Sequence, residues 1–172
     1  MTMKSTVLAV SLASILTSFG VSAAGVGAGV VNFHGYVIDA PCSIAPESKD
    51  QTIEFGDVTK SFLASGGKSE QKVTIKLINC DAAAAAKGVQ VTFGGAVVGG
   101  TSTELLTAGT TNTAIKLNGY GEDVVFGTPT KAVMVADGDT FLEYTASLVQ
   151  ATGASVAEGE FTAVSNFTMT YP

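Results

Sequence analysis

The residues best suited to chemistry in this chain are two cysteines, Cys42 and Cys80, 38 positions apart, and a single histidine, His34. In an exported chain, two cysteines are expected to form one disulfide. Closing a loop of this length stabilises a fold by ~4 kcal/mol in the chain-entropy model. A zinc site built on the same pair would need two further ligands, and His34 alone does not supply them. The residues therefore favour a Cys42–Cys80 disulfide and no metal site.

The sequence contains no pattern typical of catalysis. A Ser-His-acid triad would have to use His34, because the chain contains no other histidine that could act as its base. The carboxylates of Glu122-Asp123 resemble a solvated loop, and Asp137-Gly138-Asp139 resembles a tight turn. The second group lacks the further oxygen ligands of a calcium-binding loop. We therefore predict that the protein is not an enzyme and binds no cofactor.

The start of the chain has the pattern of a cleavable export signal. Lys4 is the only charge in the first 38 residues, and an apolar run over Val7–Leu16 follows it. This run is about half of the ~20 apolar residues that a membrane-spanning helix needs. Small residues then lead to the cleavage site. We predict a signal peptide over 1–23, a mature chain that begins at Ala24 or Gly25, and no membrane insertion of that chain.

The charge of the chain excludes two classes of partner. Its nine basic residues are all lysine, against fifteen aspartates and glutamates, and the net charge is −6. Nucleic-acid binding requires a basic face, with arginine the preferred phosphate ligand. An acidic chain without arginine is therefore not expected to bind nucleic acid or an anionic membrane, and an acidic, soluble surface is the simpler interpretation.

Alternation of apolar and polar residues predicts β-strands along most of the chain. The predicted strands cover residues 29–37, 51–59, 70–80, 89–93, 115–117, 142–148 and 161–171. Short strands with turn-rich spacers are typical of an antiparallel sandwich. Strands with one apolar face at both ends of the chain further suggest a part that is joined to copies of itself.

Smaller features are predicted between the strands. Ile78 and Cys80 fall on the opposite parity to the preceding apolar positions, so either a bulge or burial of both faces is expected there. Asn118-Gly119 is a turn signal. Asp81–Lys87 has the composition of a short surface helix, and Val98–Thr113 reads as an exposed, mobile loop.

The run from Phe33 to Ile44, FHGYVIDAPCSI, resembles the start of chaperone–usher pilus subunits, the family of type 1 and P fimbrial pilins. The leader, the cysteine spacing, the strand end Ile78-Asn79-Cys80 and the penultimate Tyr171 also fit that family. The similarity covers essentially the whole mature chain. One departure is the terminal Pro172, which has no backbone N–H.

The resemblance implies an all-β fold, an incomplete immunoglobulin-like sandwich that lacks its final strand and is completed by a donor strand from a neighbouring subunit. The donor extension would be residues 24–37, and the pilin domain would be residues 38–172. The donor residues that would face the neighbour's groove are Gly29, Val31, Phe33, Gly35 and Val37. The C-terminal edge that would bind the chaperone and then the donor strand carries Phe167, Met169 and Tyr171.

The function that the resemblance implies is that of a structural subunit of a bacterial surface fimbria (pilus) that supports adhesion. The expected partners are other copies of the chain in a head-to-tail filament, a periplasmic chaperone and an outer-membrane usher. The expected route is export through the periplasm to the cell surface. Two alternatives are a minor adaptor subunit of the same type of fimbria and an exported, monomeric β-sandwich binding module.

Overall fold

The computed structural model describes residues 29–172, and the chain divides into one unit that ends at Val37 and a second that spans Ile38–Pro172. The predicted signal peptide, its cleavage site and residues 24–28 lie outside the described residues. Residues 29–37 form no strand ladder, and their side chains are exposed. The strand predicted here is absent from the single chain, because a strand needs a second one to pair its N–H and C=O groups.

The unit over Ile38–Pro172 consists of short strands and two short helices. In chain order these are β1 (Ser43–Ile44), α1 (Pro46–Lys49), α2 (Lys60–Ala64), β2 (Ser69–Cys80), β3 (Gln90–Gly94), β4 (Leu105–Leu106), β5 (Ala108–Gly109), β6 (Thr113–Gly119), β7 (Glu122–Asp123), β8 (Gly138–Gln150), β9 (Phe161–Thr162) and β10 (Asn166–Thr170).

The larger sheet has the order β1-β2-β8-β6-β4, with β7 paired to the end of β6, and all its pairs are antiparallel. The central strand, β8, pairs with β2 from Leu148 opposite Ser69 to Thr140 opposite Leu77. Both long strands alternate apolar and polar residues, so one face of this sheet is buried. Its inward side chains are Ile75, Leu77, Ile115, Leu117, Leu142, Tyr144, Ala146 and Leu148.

The opposing layer is smaller and pairs β3 with β10. The other edge of β3 is covered by residues 127–133, through hydrogen bonds such as Thr130 N–H to the Val91 carbonyl at 2.8 Å. Val89, Val91 and Phe93 of this layer are buried against the larger sheet. The predicted all-β, antiparallel sandwich is thus confirmed.

A disulfide joins Cys42, just before β1, to Cys80 at the end of β2, as the two cysteines predicted. Both residues are buried in the core. The register between β2 and β8 shifts between Leu77 and Cys80, and Asn79 in that interval has a φ of 54°. A β-bulge therefore accounts for the change of parity, because an extra residue reverses which face the following side chains occupy.

One local prediction is wrong and another is met only in part. β6 continues through Asn118 and Gly119, and the hairpin turn is at Tyr120-Gly121, where both φ angles are positive (56° and 83°). Asn118 stays in the ladder and its side-chain amide donates to Asp123 at 3.1 Å. Residues 81–87 form turns rather than a helix, in which the Asp81 carboxylate accepts the backbone N–H groups of residues 83 and 84.

Two longer predictions also need correction. The segment 98–113 is not simply an exposed loop, since it contributes β4 and β5 and buries four polar side chains, Glu104, Thr107, Thr111 and Thr113. The terminal strand predicted over 161–171 is interrupted at residues 163–165. Its first part, β9, pairs with β5, whereas its second part, β10, pairs with β3, so the two halves belong to different ladders.

Candidate functional site: an open groove beside the terminal strand

A groove opens between β10 and residues 44–58. β10 pairs with β3 along one edge, and its other edge has no strand partner in the described part of the chain. Residues 51–58, on the opposite border, likewise belong to no ladder. The rings of Phe55 and Phe161, one from each border, lie 6.0 Å apart between centroids. Two backbone segments with unused hydrogen-bonding groups therefore border one opening.

The floor of this groove is the hydrophobic core itself. The central compartment has a volume of about 410 Å³ and reaches side chains of both layers. Its apolar lining includes Phe55, Val73, Ile75, Phe93, Leu105, Ile115, Leu117, Ala146, Phe161 and Phe167. Apolar surface left open in this way favours binding of an extended segment that covers it.

Two further compartments continue the groove at either end. One of about 550 Å³ extends past Gln51 and Phe167 towards Ile44, and one of about 200 Å³ extends past Phe161 towards Leu63. The larger of the two shares five lining residues with the central compartment and the smaller shares Phe161, so both adjoin the central compartment. This shape suits a strand rather than a compact small molecule.

The predicted C-terminal residues lie on one face of the terminal strand. Phe167, Met169 and Tyr171 are half-buried against the core, and the exposed residues of β10 alternate with them. Phe167 also lines the groove, with its ring 6.3 Å from that of Phe93. Burial raises the pKa of the Tyr171 hydroxyl, whose oxygen has no hydrogen-bond partner among the described residues.

The predicted donor residues are exposed in the single chain. Val31, Phe33 and Val37 are 73%, 92% and 105% exposed, respectively. A methyl group added at Gly29 or Gly35 would meet no atom within 4 Å. Their assignment as groove-facing residues remains a prediction, since it concerns a second copy of the chain.

One buried polar group was missed from the sequence. The Glu104 carboxylate accepts the backbone N–H of Thr152 at 2.9 Å and its hydroxyl at 2.8 Å, and lies 3.2 Å from the Lys116 ammonium. Burial alone would raise the pKa of Glu104, but the Thr152 hydrogen bonds and Lys116 outweigh burial and lower the pKa. The two partners are 48 and 12 positions away, so no local motif signals them.

The arrangement is suited to binding an extended segment. No group of three or more histidine, cysteine, aspartate or glutamate side chains that could hold a metal ion occurs among residues 29–172. In the same range, no helix has the length and apolar character needed to cross a membrane. The two free edges and the apolar floor are the elements of strand addition, in which backbone hydrogen bonds and alternate side-chain pockets hold an extended segment.

An antiparallel sandwich with one strand position open defines a class of proteins, namely immunoglobulin-like domains that are completed by a strand from another chain. Comparison with known proteins agrees. Residues 31–172 match the model of the family described as fimbrial protein, and the chain belongs to that family. The predicted resemblance to chaperone–usher pilins is thereby confirmed.

The relatives that match most of the chain are fimbrial proteins, and one of the two compared below is a major pilin. The chain is 46% identical to the Pap fimbrial major pilin protein of Escherichia coli, over 96% of this chain and 97% of that protein. It is 41% identical to the Fimbria A protein of Serratia marcescens, over 94% of this chain and 97% of that protein.

Solved structures agree with the relatives. A chaperone–usher pilus structure that reveals the basis of rod uncoiling matches with a TM-score of 0.80 and 46% identity, covering 85% of this chain and 96% of that one. The crystal structure of the P pilus rod subunit PapA matches with a TM-score of 0.71 and 44% identity, covering 77% of this chain and all of that one. A role as a structural fimbrial subunit follows from these matches.

Proposed function

We propose that this chain is a rod subunit of a bacterial surface fimbria and that it polymerises by donating residues 24–37 to the groove of a neighbouring copy. The single observation that supports this mechanism is the groove: a cleft with two unpaired backbone borders and a floor of core side chains. A strand inserted there would complete both hydrogen-bonding edges and cover the apolar floor.

The donor segment matches such a groove in chemistry. Its alternate residues Val31, Phe33 and Val37 are apolar, and each would contribute on the order of 1.5–3 kcal/mol when transferred from water into the groove. Gly29 and Gly35 share that parity and would lie where the groove is shallow. Because the surface that donates differs from the surface that accepts, the contact does not close on itself and generates a filament.

The route to the filament follows from the same features. The signal peptide over 1–23 would direct export to the periplasm, where the Cys42–Cys80 disulfide forms. A chaperone strand would fill the groove until an outer-membrane usher exchanges it for the donor segment of the next subunit. The role is structural, without catalysis or a cofactor. A rod position is favoured over an adaptor position because the chain is similar to the Pap fimbrial major pilin protein and to the P pilus rod subunit PapA. The open groove disfavours a complete, monomeric binding module.

The test compares two leucine substitutions of opposite parity in the donor segment. Gly35→Leu places a large side chain on the groove-facing parity, whereas Asn32→Leu places the same side chain on the outward parity. Both positions are exposed in the single chain, so neither change should harm folding of the subunit. Each variant is expressed with its chaperone and usher, and subunit–chaperone complex and surface fibres are quantified separately.

We expect Gly35→Leu to yield normal amounts of chaperone complex and few or no fibres, because forced packing at a shallow position costs ~1–3 kcal/mol or more. Asn32→Leu should assemble normally. Fibres of normal length and stability from Gly35→Leu would show that the donor register or the mechanism is wrong. Loss of the chaperone complex in both variants would instead point to a role of this segment in folding.

A further inference from the structure

The proposed donor segment contains a single histidine and almost no charge. Residues 24–38 include no aspartate, glutamate or lysine, and only His34 and Tyr36 have titratable side chains. Both lie on the parity opposite to the groove-facing residues. Their rings are in edge-to-face contact, 5.0 Å apart between centroids, and both are exposed. In an inserted strand these two side chains would therefore stand at the mouth of the groove.

The borders of the groove are acidic at the centre. The charged residues that line the central compartment are Glu54, from the 51–55 border, and Glu160, from the segment before β9. Both are exposed, and no lysine lines this compartment. The outward residues of β10 are uncharged. The charged residues at the two ends of the groove are Asp57, Lys60 and Glu158 at one end and Lys49 and Asp50 at the other.

We propose that His34 of one copy makes a pH-responsive contact with the acidic borders of a neighbouring copy's groove, at Glu54 and Glu160. This inference rests on the donor-strand assembly proposed above. His34 is near the middle of the segment 29–37, so its outward side chain would lie over the central compartment. Residues directly opposite each other on neighbouring strands have Cβ atoms ~4.5–5.5 Å apart, close enough for an imidazolium to interact with a carboxylate.

The direction of the pH effect follows from the signs of the charges. Histidine is the side chain that ordinarily changes its charge between pH 5 and 8, and its cationic form is attracted to a carboxylate. The extra stability of the joint is therefore present at acidic pH and is lost as the pH rises and the imidazole loses its proton. On the donor itself, tyrosine carries no charge in this range, and Asp39 lies beyond the inserted strand.

The experiment measures release of subunits from purified fibres in urea, at low ionic strength, at pH 5.5 and pH 8.0. Fibres are made from wild type, His34→Gln, His34→Lys and the double variant Glu54→Gln/Glu160→Gln. An exposed charge pair changes the release rate by about two- to fivefold. At pH 5.5, we expect wild-type fibres to release subunits more slowly than His34→Gln fibres by this factor. The difference should disappear in 0.5 M NaCl, because salt screens exposed charges.

The two other variants test whether the contact depends on a positive charge at position 34 and on the two glutamates. His34→Lys fibres should be slow to release subunits at both pH values, and the double glutamate variant should show the same pH dependence as His34→Gln. Equal pH dependence in wild-type and His34→Gln fibres would overturn the inference while leaving donor-strand assembly intact. Assembly by Gly35→Leu would instead overturn the proposed function itself, so the two failures are distinguishable.

Discussion

The buried carboxylate of Glu104 provides the sharpest test of how the groove is supported. Hydrogen bonds from Thr152 to Glu104 connect the 151–153 loop to the start of β4. The next residue, Leu105, is buried and lines the groove floor. Glu104→Gln keeps the shape of the side chain and removes its charge. The amide presents a nitrogen donor towards Thr152 or Lys116, whose groups are themselves donors. At least one of three charge-assisted contacts is therefore lost.

The expected magnitude follows from the burial of the partners. The Glu104 side chain is 5% exposed, whereas that of Lys116 is 34% exposed and reaches water after the change. The penalty for a fully buried, uncompensated charge, ~3–5 kcal/mol, therefore does not apply in full. Losing hydrogen bonds to a charged group costs ~1.5–3 kcal/mol, and we expect Glu104→Gln to lower the free energy of unfolding by about 2 kcal/mol at pH 7.

The assay is guanidinium unfolding of the full subunit, with a synthetic peptide of residues 24–38 at the same saturating concentration for every variant. Thr152→Val, which replaces the hydroxyl with a methyl group and keeps the backbone N–H, should cost less than Glu104→Gln. In a double-mutant cycle that combines Glu104→Gln with Lys116→Met, the coupling energy between the two changes measures the contribution of the ion pair to stability.

The pH dependence has a definite sign. The pKa of Glu104 is lowered on folding from its usual value of 4.5, so its stabilisation is present above that value and is lost as the pH falls through the lower folded pKa. The difference between wild type and Glu104→Gln should therefore shrink below about pH 4. A difference under ~0.5 kcal/mol at pH 7, or one that stays constant down to pH 2.5, would refute the reasoning.

Two further predictions concern the disulfide and the terminal strand. Thiol labelling of denatured, unreduced protein should find no free thiol, and Cys42→Ser should reduce subunit yield, because ~4 kcal/mol is comparable to the whole stability of a small domain. Two reactive thiols per wild-type chain would contradict this. Deleting residues 167–172 removes the free edge of β10 and part of the core, so no subunit should co-purify with the chaperone, and undiminished recovery would contradict the assignment. Tyr171→Ala alone should weaken this co-purification without altering the donor segment.

The long strands could be predicted from the sequence because their signal is local. β2 and β8 alternate apolar and polar residues over most of their lengths, and each alternation fixes the buried face without reference to distant residues. The disulfide was also predictable, since only two cysteines are present. The helices α1 and α2 were not predicted: they have four and five residues, and neither has a side-chain cap hydrogen bond.

The missed features depend on contacts between distant parts of the chain. The interruption at residues 163–165 arises because Phe161 pairs with Gly109, whereas Phe167 pairs with Phe93 on another strand. Periodicity alone cannot show that one alternating run divides between two ladders. The groove is even harder to predict from the sequence, because it is defined by a strand that the domain does not contain. Alternation indicated a sandwich, and only the resemblance to pilins implied that it was incomplete.

The donor segment and the groove each expose apolar surface that the other could cover. A segment with Phe33 and Val37 almost fully exposed is unfavourable in water, and so is a groove whose floor is the core. Neither feature would be expected in a domain that functions alone, because closing the sandwich with its own final strand would remove both. In the proposed assembly, insertion of one copy's segment into a neighbouring copy's groove removes the two costs together. Each added subunit again presents one free segment or one open groove, so the same free energy is available at every step of growth.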